Sequence, residues 1–593
     1  MTTLDFIVVA AYFVGIAALG VYQSVRIRSS GDYFAGGRKF NKFLMMMHAL
    51  GSGTHADDPV GVTGTALQRG MSGIWWTYCY LFATPVYWVV APFFRRSRYI
   101  TTADFFERRY GKGMGALYAV MGILYFSVST GMILRAMATI AHVVTEGAVP
   151  DWAAIAGMTV IFVAYGFAGG LVATVVTEGV QGLLIVVMSL LLVPYGLIRL
   201  GGFSRLHELV PASHFSLAAS EETTLSFIII MSFVAVIGIV AQPHIMEVCS
   251  TGKTEFEGRV GFAYGNFIKR FCAMGWVLVG LIVVALAAGG QLAPEDVAKV
   301  AAAMPSESLE RVSSEIGPGQ LQGADSAAGT AGEAREYAFP LAIRILLPPG
   351  MRGLMFAAIF AAQMSSLSAF MVAGSALLSR NLYKRYMKPE ADDRKVLQVG
   401  RYSGLLVVAL GIGFAILFQS VVEGLAAFLL LAPLTGILVW IGTLWRRATN
   451  GGAWASFLVM VPIFLLLGKA GAVIKPLLPG VEWLGKYAGK EHAHELALAY
   501  MIPGALALVI GSLLTRPRPK KVLDDFYTLL RTPVGREEEL EKAGVEIVYK
   551  GETKAHPWEA KYPRLVAAGG FFVALAFALI ILGIVYVLGR IGA

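Results

Sequence analysis

The sequence predicts an all-α integral membrane protein of about 14 transmembrane helices. Only 15% of the 593 residues are Asp, Glu, Lys or Arg, where a soluble domain carries about 25%. Another 56% are hydrophobic, before 67 glycines are counted. Apolar runs of about 20 residues recur along the chain, the length a helix needs to cross the hydrocarbon core of a bilayer. Such runs are too long for the alternating strands of a membrane barrel. The composition excludes a disordered chain, a nucleic-acid-binding arm and an ordinary cytosolic enzyme, because so few charges could not cover a soluble surface. Cys79, Cys249 and Cys272 lie in or beside apolar runs and argue against a disulfide framework.

The predicted spans are 4–24, 43–68, 72–94, 114–146, 151–169, 175–200, 224–247, 265–289, 351–380, 400–420, 422–444, 451–470, 493–514 and 564–590. The first begins at Leu4 without a basic leader or a small-residue cleavage site, so it reads as a retained helix. Alternate loops, at 25–42, 95–113, 170–174, 248–270, 380–401, 445–452 and 515–564, hold about 35 of the 49 Lys and Arg residues. The positive-inside rule makes that side cytoplasmic and places both termini outside a multi-pass cell-membrane protein. The net charge of +10 then reports orientation and gives no evidence for a nucleic-acid partner.

Two polar insertions interrupt the pattern. Residues 290–350 read as a loosely structured outer loop able to cap an entrance, and 515–563 as a cytoplasmic amphipathic segment with a basic, membrane-hugging start. The expected organisation is a leading helix and loop (1–42), a first five-helix repeat (43–200) and a second repeat (201–444) containing the outer loop. Additional helices (445–514), the amphipathic segment (515–563) and a final helix (564–593) complete it.

An ionisable group at mid-membrane costs several kcal/mol unless paired or hydrated, so each one is a candidate functional residue. The second span holds the densest set, His48, His55, Asp57 and Asp58, with Pro59 and glycines at 51, 53, 61 and 64. Such a stretch predicts a broken helix, whose freed carbonyls suit a cation and whose half-helix N-terminus suits a solute. The seventh span carries Gln242, Pro243, His244 and Glu247, and Pro243 predicts a second break. Two interrupted helices five apart are what two five-helix repeats would produce.

Glu178 opens the sixth span, either as a first-turn carboxylate favouring the helix dipole or as a coupling group. Arg135, deep in the fourth span, should meet an acidic partner, an anionic solute or water at the outer mouth. Asp57 and Asp58 could face a cation, neutralise Arg135 or take up a proton. In the ninth span Ser365 and Ser368 share a face and Ala362 lies one turn before Ser366. Two hydroxyls and a freed carbonyl at one point would suit a weakly held monovalent ion.

Four motifs in order resemble those of the sodium:solute symporter family. They are Asp32 to Arg38, Tyr99 to Gly111, Gly169 to Gln181 and Ala362 to Ser368. The resemblance implies the leucine-transporter fold: one preceding helix, a core of five plus five helices in inverted repeats, and additional C-terminal helices. It implies sodium-coupled uptake of a small organic solute by alternating access, with sodium as the coupling ion, no other cofactor and no enzymatic activity. Carried over by position, the sodium site would use the carbonyls of Gly51, Thr54 and Ala362 and the hydroxyls of Ser365 and Ser366. The solute would touch Gly53, His55, Asp58, Trp76 and His244, to which the residue reading adds Asp57, Gln242 and Arg135.

The chain departs from the family in having Glu178 where Asp is usual and Ala369 where a second sodium site, with Glu178 and Ser368, would need a hydroxyl. The segment from Pro243 resembles the acetate and pantothenate branch, with Val248 in place of an arginine. Together with Arg135 this leans towards a carboxylate-bearing solute; a sugar, an amino acid or an amine are the alternatives within the family. An intramembrane metalloenzyme built on His48, His55, Asp57 and Asp58 is the alternative outside it.

Overall fold

The computed structural model describes residues 1–24, 33–34, 36–218, 223–304, 309–310, 331–417, 421–478, 481–489, 492–550 and 554–593. Asp32 and Ala35 of the first motif, residue 420 at one predicted span boundary, and 305–308 and 311–330 of the outer loop lie outside these. Among the described residues the secondary structure is helical apart from one isolated bridge, Phe40 to Gly252.

Among the described residues nine helices are long and apolar enough to cross a bilayer, and Thr3–Ile16, Asp151–Ala164 and Leu225–Ile239 are shorter apolar stretches. Two predicted spans are absent from both groups because they are interrupted. The second divides into Lys42–Gly51 and Asp57–Arg69, as its glycines and Asp-Asp-Pro predict. The third divides into Gly70–Ile74, Trp75–Tyr78 and Thr84–Ser97, a break that sequence reading missed although Pro85 marks the restart. The predicted break in the seventh span lies between Leu225–Ile239 and Ile245–Ser250. The Tyr118 hydroxyl donates to the Ala241 carbonyl at 2.7 Å, satisfying an acceptor that the interruption frees.

The turn expected at 170–174 does not appear as a loop, because helical backbone runs through Asp151–Leu200. Both ends of this run nevertheless lie at one end of the molecule. Asp151 stands 3.8 Å from Arg135, and the two line a pocket with Glu295 and Arg344. Arg199 donates to the carbonyls of Ile345 and Gln291, next to those residues. The run therefore doubles back and crosses twice, as its two apolar stretches predict.

Helices Met351–Met387, Glu255–Ala288 and Lys112–Val144 are the most enclosed, while Asn450–Leu467, Ala493–Leu514 and Pro563–Leu588 leave most of their apolar surface outward. The enclosed helices approach closely through glycine. A Cβ on Gly265 would lie 2.6 Å from the Met46 carbonyl oxygen, and one on Gly280 would lie 2.6 Å from that of Thr63. Glu255–Ala288 thus clamps both halves of the broken span.

The basic loops gather at the end opposite Asp151. Arg38 donates to the Tyr99 and Tyr549 carbonyls, Asn381 to Asp104, and Arg446 pairs with Asp524. The segment after 515, expected to be amphipathic with a membrane-hugging basic start, packs one face inward: Leu523, Phe526, Leu529 and Leu530 of Lys520–Arg531 are buried. Arg98, fully buried, donates to Glu537 at 2.7 Å and to the Thr532 and Pro533 carbonyls, both at 3.1 Å. Removing the carboxylate leaves a buried cation short of its counter-charge, which costs about 3–5 kcal/mol. Glu537→Ala should therefore lower the thermal midpoint in detergent and expose 516–550 to protease. Unchanged protease protection would show that this pair does not dock the tail.

The described parts of the 290–350 insertion are largely helical, where a loosely structured loop was expected. Pro294–Ala301 is helical, and Ala331–Leu346 is a helix packed against Asp57–Arg69. Its apolar stretch, Ala338 to Leu347, is interrupted by Pro340 and Arg344, too short and polar to register as a span.

Candidate functional site

Two groups of residues meet at the break in the second span. The first surrounds the carbonyl of Gly51, the last residue of Lys42–Gly51. The Ser366 hydroxyl donates to it at 2.8 Å and to the Ala362 carbonyl at 3.2 Å; the Ser365 hydroxyl also donates to Ala362, at 2.8 Å. Thr54 is buried and its hydroxyl has no hydrogen-bond partner among the described residues. All of these are oxygens, the donor type a hard cation selects, and none brings a negative charge. The donor set fits a dehydrated, weakly held monovalent ion, whose binding would turn the serine hydroxyls away from the carbonyls they now bond.

Glu178 lies beside this group. A Cβ on Gly51 would come within 3.0 Å of its Cγ, so glycine is what lets Asp151–Leu200 approach. Its Oε2 lies 2.5 Å from His48 Nδ1, with both side chains fully buried. Ser368 has a different partner, the Thr174 hydroxyl at 3.1 Å, one helical turn before Glu178. The two residues paired in the sequence reading therefore meet separate groups. The His48 contact was not foreseen, since 130 residues separate it from Glu178.

The second group lines a cavity. Gly53, His55, Asp57, Asp58, Trp76, Gln242 and His244, all singled out from the sequence, share it. Asp57 and Asp58 occupy the first turn of Asp57–Arg69, where carboxylates answer the positive end of the helix dipole. The Gln242 amide donates to the Tyr80 hydroxyl at 3.1 Å, joining the second break to the third span's unpredicted one.

Arg135 is not part of this cavity. It lines an outer pocket with Glu146, Asp151, Glu295 and Lys299, and its side chain is 29% exposed. Of the three surroundings expected for it, it has an acidic neighbour, Asp151, at a partly exposed end of the molecule; it does not reach the inner cavity. The helix Lys112–Val144 runs further than a bilayer requires, which carries Arg135 to the aqueous end. Arg135→Gln should accordingly leave solute affinity within about twofold. A tenfold loss in an uptake competition assay would return it to the binding site.

The basic residues of the cavity are Lys269 and Arg270, which sequence reading placed in a cytoplasmic loop at 248–270. That is a correction: the helix begins at Glu255, four turns before them, so both lie well inside the helix. The capping box of Thr254 and Glu257 was the sequence signal for that early start. The Lys269 ammonium contacts Asp58 Oδ2 at 2.7 Å and donates to the Gly53 carbonyl. It therefore bridges the broken span and the enclosed helix, and Asp58 also accepts from the His55 amide at 3.1 Å.

His55, Asp57 and Asp58 bring potential metal-ligating atoms within 4.8 Å of one another, but His48 is committed to Glu178. The four-residue metal set considered from sequence is thus not assembled.

Comparison with known proteins adds four findings. A model of the sodium:solute symporter family matches residues 33–459. A sodium/mannose cotransporter from Bos taurus is 25% identical over 580 residues, covering 88% of each chain. A sodium/glucose cotransporter from Vibrio parahaemolyticus is 23% identical, covering 79% of this chain and 85% of that one. Among solved structures, a substrate-bound, outward-open Na+-coupled sialic acid symporter superposes with a TM-score of 0.65 at 16% identity, over 87% of this chain and 99% of that one. This last likeness is one of fold.

Proposed function

The chain belongs to the sodium:solute symporter family, and from that premise we propose that it imports a small, carboxylate-bearing organic solute with sodium by alternating access. It is a multi-pass membrane transporter and not an enzyme, which sets aside the metalloenzyme alternative. The proposed sodium site is Gly51, Thr54, Ala362, Ser365 and Ser366. The proposed solute site is the cavity of Gly53, His55, Asp57, Asp58, Trp76, Gln242 and His244.

The observation that carries this reading is the Ser366 hydroxyl spanning the Gly51 and Ala362 carbonyls, with Gly53 of the cavity two residues further on. Sodium replacing those hydrogen bonds would fasten the break to Met351–Ala376 and order Gly53 and His55 for the solute. The coupling is reciprocal, because each ligand must favour the other by the same factor. One sodium moving down −100 mV supplies about 2.3 kcal/mol, enough for about a fiftyfold gradient of a neutral solute. The pairing of Glu178 with His48, and of Ser368 with Thr174, supports one sodium per cycle rather than a second at Glu178 and Ser368.

The likeness to a sodium/mannose and a sodium/glucose cotransporter favours a sugar as the alternative solute. The buried Arg270 guanidinium, whose Nε and Nη1 have no hydrogen-bond partner among the described residues, favours the carboxylate. A thermal-shift screen of carboxylates, amino acids, amines and sugars, with and without sodium, tests the reading: a carboxylate-bearing hit that needs sodium is expected, and sodium-independent stabilisation by every hit would count against it.

Both termini are proposed to lie outside. Asp5 accepts from the Gly350 and Gly353 amides at 2.7 and 2.8 Å, on the face away from the basic loops. A reporter active only outside the cytoplasm should work when fused after Ala593; a silent one there would invert the topology.

A further inference from the structure

The cavity holds two buried charges of opposite sign that the protein leaves unsatisfied. Arg270 is 2% exposed, and its Nε and Nη1 have no hydrogen-bond partner among the described residues. Its guanidinium stands 5.7 Å from the centroid of the Tyr80 ring, and the Tyr78 hydroxyl donates to its backbone carbonyl at 2.9 Å. The group is thus held in place with no carboxylate in direct contact among the described residues, Asp58 acting on it only from a distance. Asp57 is 1% exposed and its Oδ1 also lacks a hydrogen-bond partner, with His55 Nδ1 standing off at 3.6 Å.

Their sequence neighbours are treated differently. Asp58 is matched by Lys269 at 2.7 Å, and Lys269 also donates to the Gly53 carbonyl. The cavity lining therefore has two carboxylates and two cations, of which Asp58 and Lys269 are in direct contact, while Asp57 and Arg270 make no direct ion pair with a Lys, Arg, Asp or Glu among the described residues. A buried charge without a counter-charge costs several kcal/mol. A ligand that answers both at once removes that cost and adds no net charge.

Resting on the reading that this cavity is the symporter's solute site, we propose that the solute is a small zwitterion. Its ammonium group would lie on Asp57 and its carboxylate on Arg270. A planar guanidinium offers a carboxylate two parallel hydrogen bonds. The half-helix N-terminus at Asp57 does not compete for that carboxylate, because Asp57 and Asp58 already answer its dipole. A monocarboxylate would leave Asp57 uncompensated and an amine would leave Arg270 so. A hexose or inositol could hydrogen-bond both but neutralise neither.

The test is uptake into proteoliposomes driven by an inward sodium gradient. The probes are the common amino acids and glycine betaine, matched acids lacking the amine, matched amines lacking the acid, and glucose with myo-inositol. A zwitterion should be taken up, with the matched acid and amine each at least tenfold weaker as competitors. Arg270→Gln should weaken that zwitterion at least tenfold while radioactive sodium binding stays within about twofold. Arg270→Lys, which keeps the charge but not the fork, should fall between; it also carries the test if the glutamine variant does not fold. Asp57→Asn should erase the preference for the amino acid over its amine-free analogue. Sodium-driven uptake of a sugar, a simple acid or a simple amine in place of zwitterions would overturn this proposal and leave symport standing. Uptake of none of the four classes would overturn both.

Discussion

Replacing Ser366 by alanine should raise the sodium concentration for half-maximal uptake by about ten- to a hundredfold. Its hydroxyl is fully buried and reaches the Gly51 and Ala362 carbonyls, so it stands where a cation between the two half-sites would need an oxygen. A hydrogen bond or ligand contact to a charged group is worth about 1.5–3 kcal/mol, and each 1.4 kcal/mol is tenfold in affinity. Ser365→Ala should act in the same direction but less strongly, because the Ser365 hydroxyl reaches only the Ala362 carbonyl among the proposed ligands. Sodium titration of uptake rate at fixed solute measures both. Unchanged sodium activation in Ser366→Ala would remove this site from the mechanism.

Lys269→Met should all but abolish transport and destabilise the protein by about 3–5 kcal/mol, since it leaves Asp58 a buried carboxylate without its contacting cation. The lysine also holds the Gly53 carbonyl, so its loss frees the break that separates the sodium and solute groups. Adding Asp58→Asn removes the stranded charge and should recover most of the stability, while high-affinity uptake stays lost. That split separates an electrostatic clamp from a general packing defect. Thermal denaturation of the single and double variants reads the first effect, and uptake the second. Normal transport by Lys269→Met would show that the clamp is dispensable.

Much of this was legible in the chain because membrane burial makes polar residues conspicuous. Asp57-Asp58-Pro59 and Gln242-Pro243-His244 could not sit in unbroken lipid-facing helices, and both mark breaks in the structure. The serines at 365 and 366 followed from helical spacing and the family resemblance; Ser366 meets the Gly51 carbonyl and Ser365 that of Ala362. What was missed has a common cause. Lys269, Arg270 and Arg135 were placed by counting residues from apolar segments, and the helices here do not stop where a bilayer would need: Glu255–Ala288 begins about three turns before the predicted span at 265, and Lys112–Val144 runs for 33 residues. A basic residue near a span end can then face either water or the interior, and hydropathy does not distinguish the two. The contact of His48 with Glu178 joins distant segments, which no local pattern encodes. The docking of Phe526 and its neighbours shows the same limit, since an amphipathic face does not say whether it meets lipid or protein.

The central claim is that sodium at Gly51 and Ala362 and solute in the adjoining cavity bind cooperatively through the broken helix between them. The most direct test is equilibrium binding of radioactive sodium to purified protein, with and without a saturating solute identified in the uptake screen, set beside the solute's own affinity with and without sodium. The account predicts that each ligand tightens the other by one common factor, about fivefold or more, and that Ser366→Ala weakens sodium binding at any solute concentration. Sodium affinity that is indifferent to solute, in a protein that binds both, would contradict it.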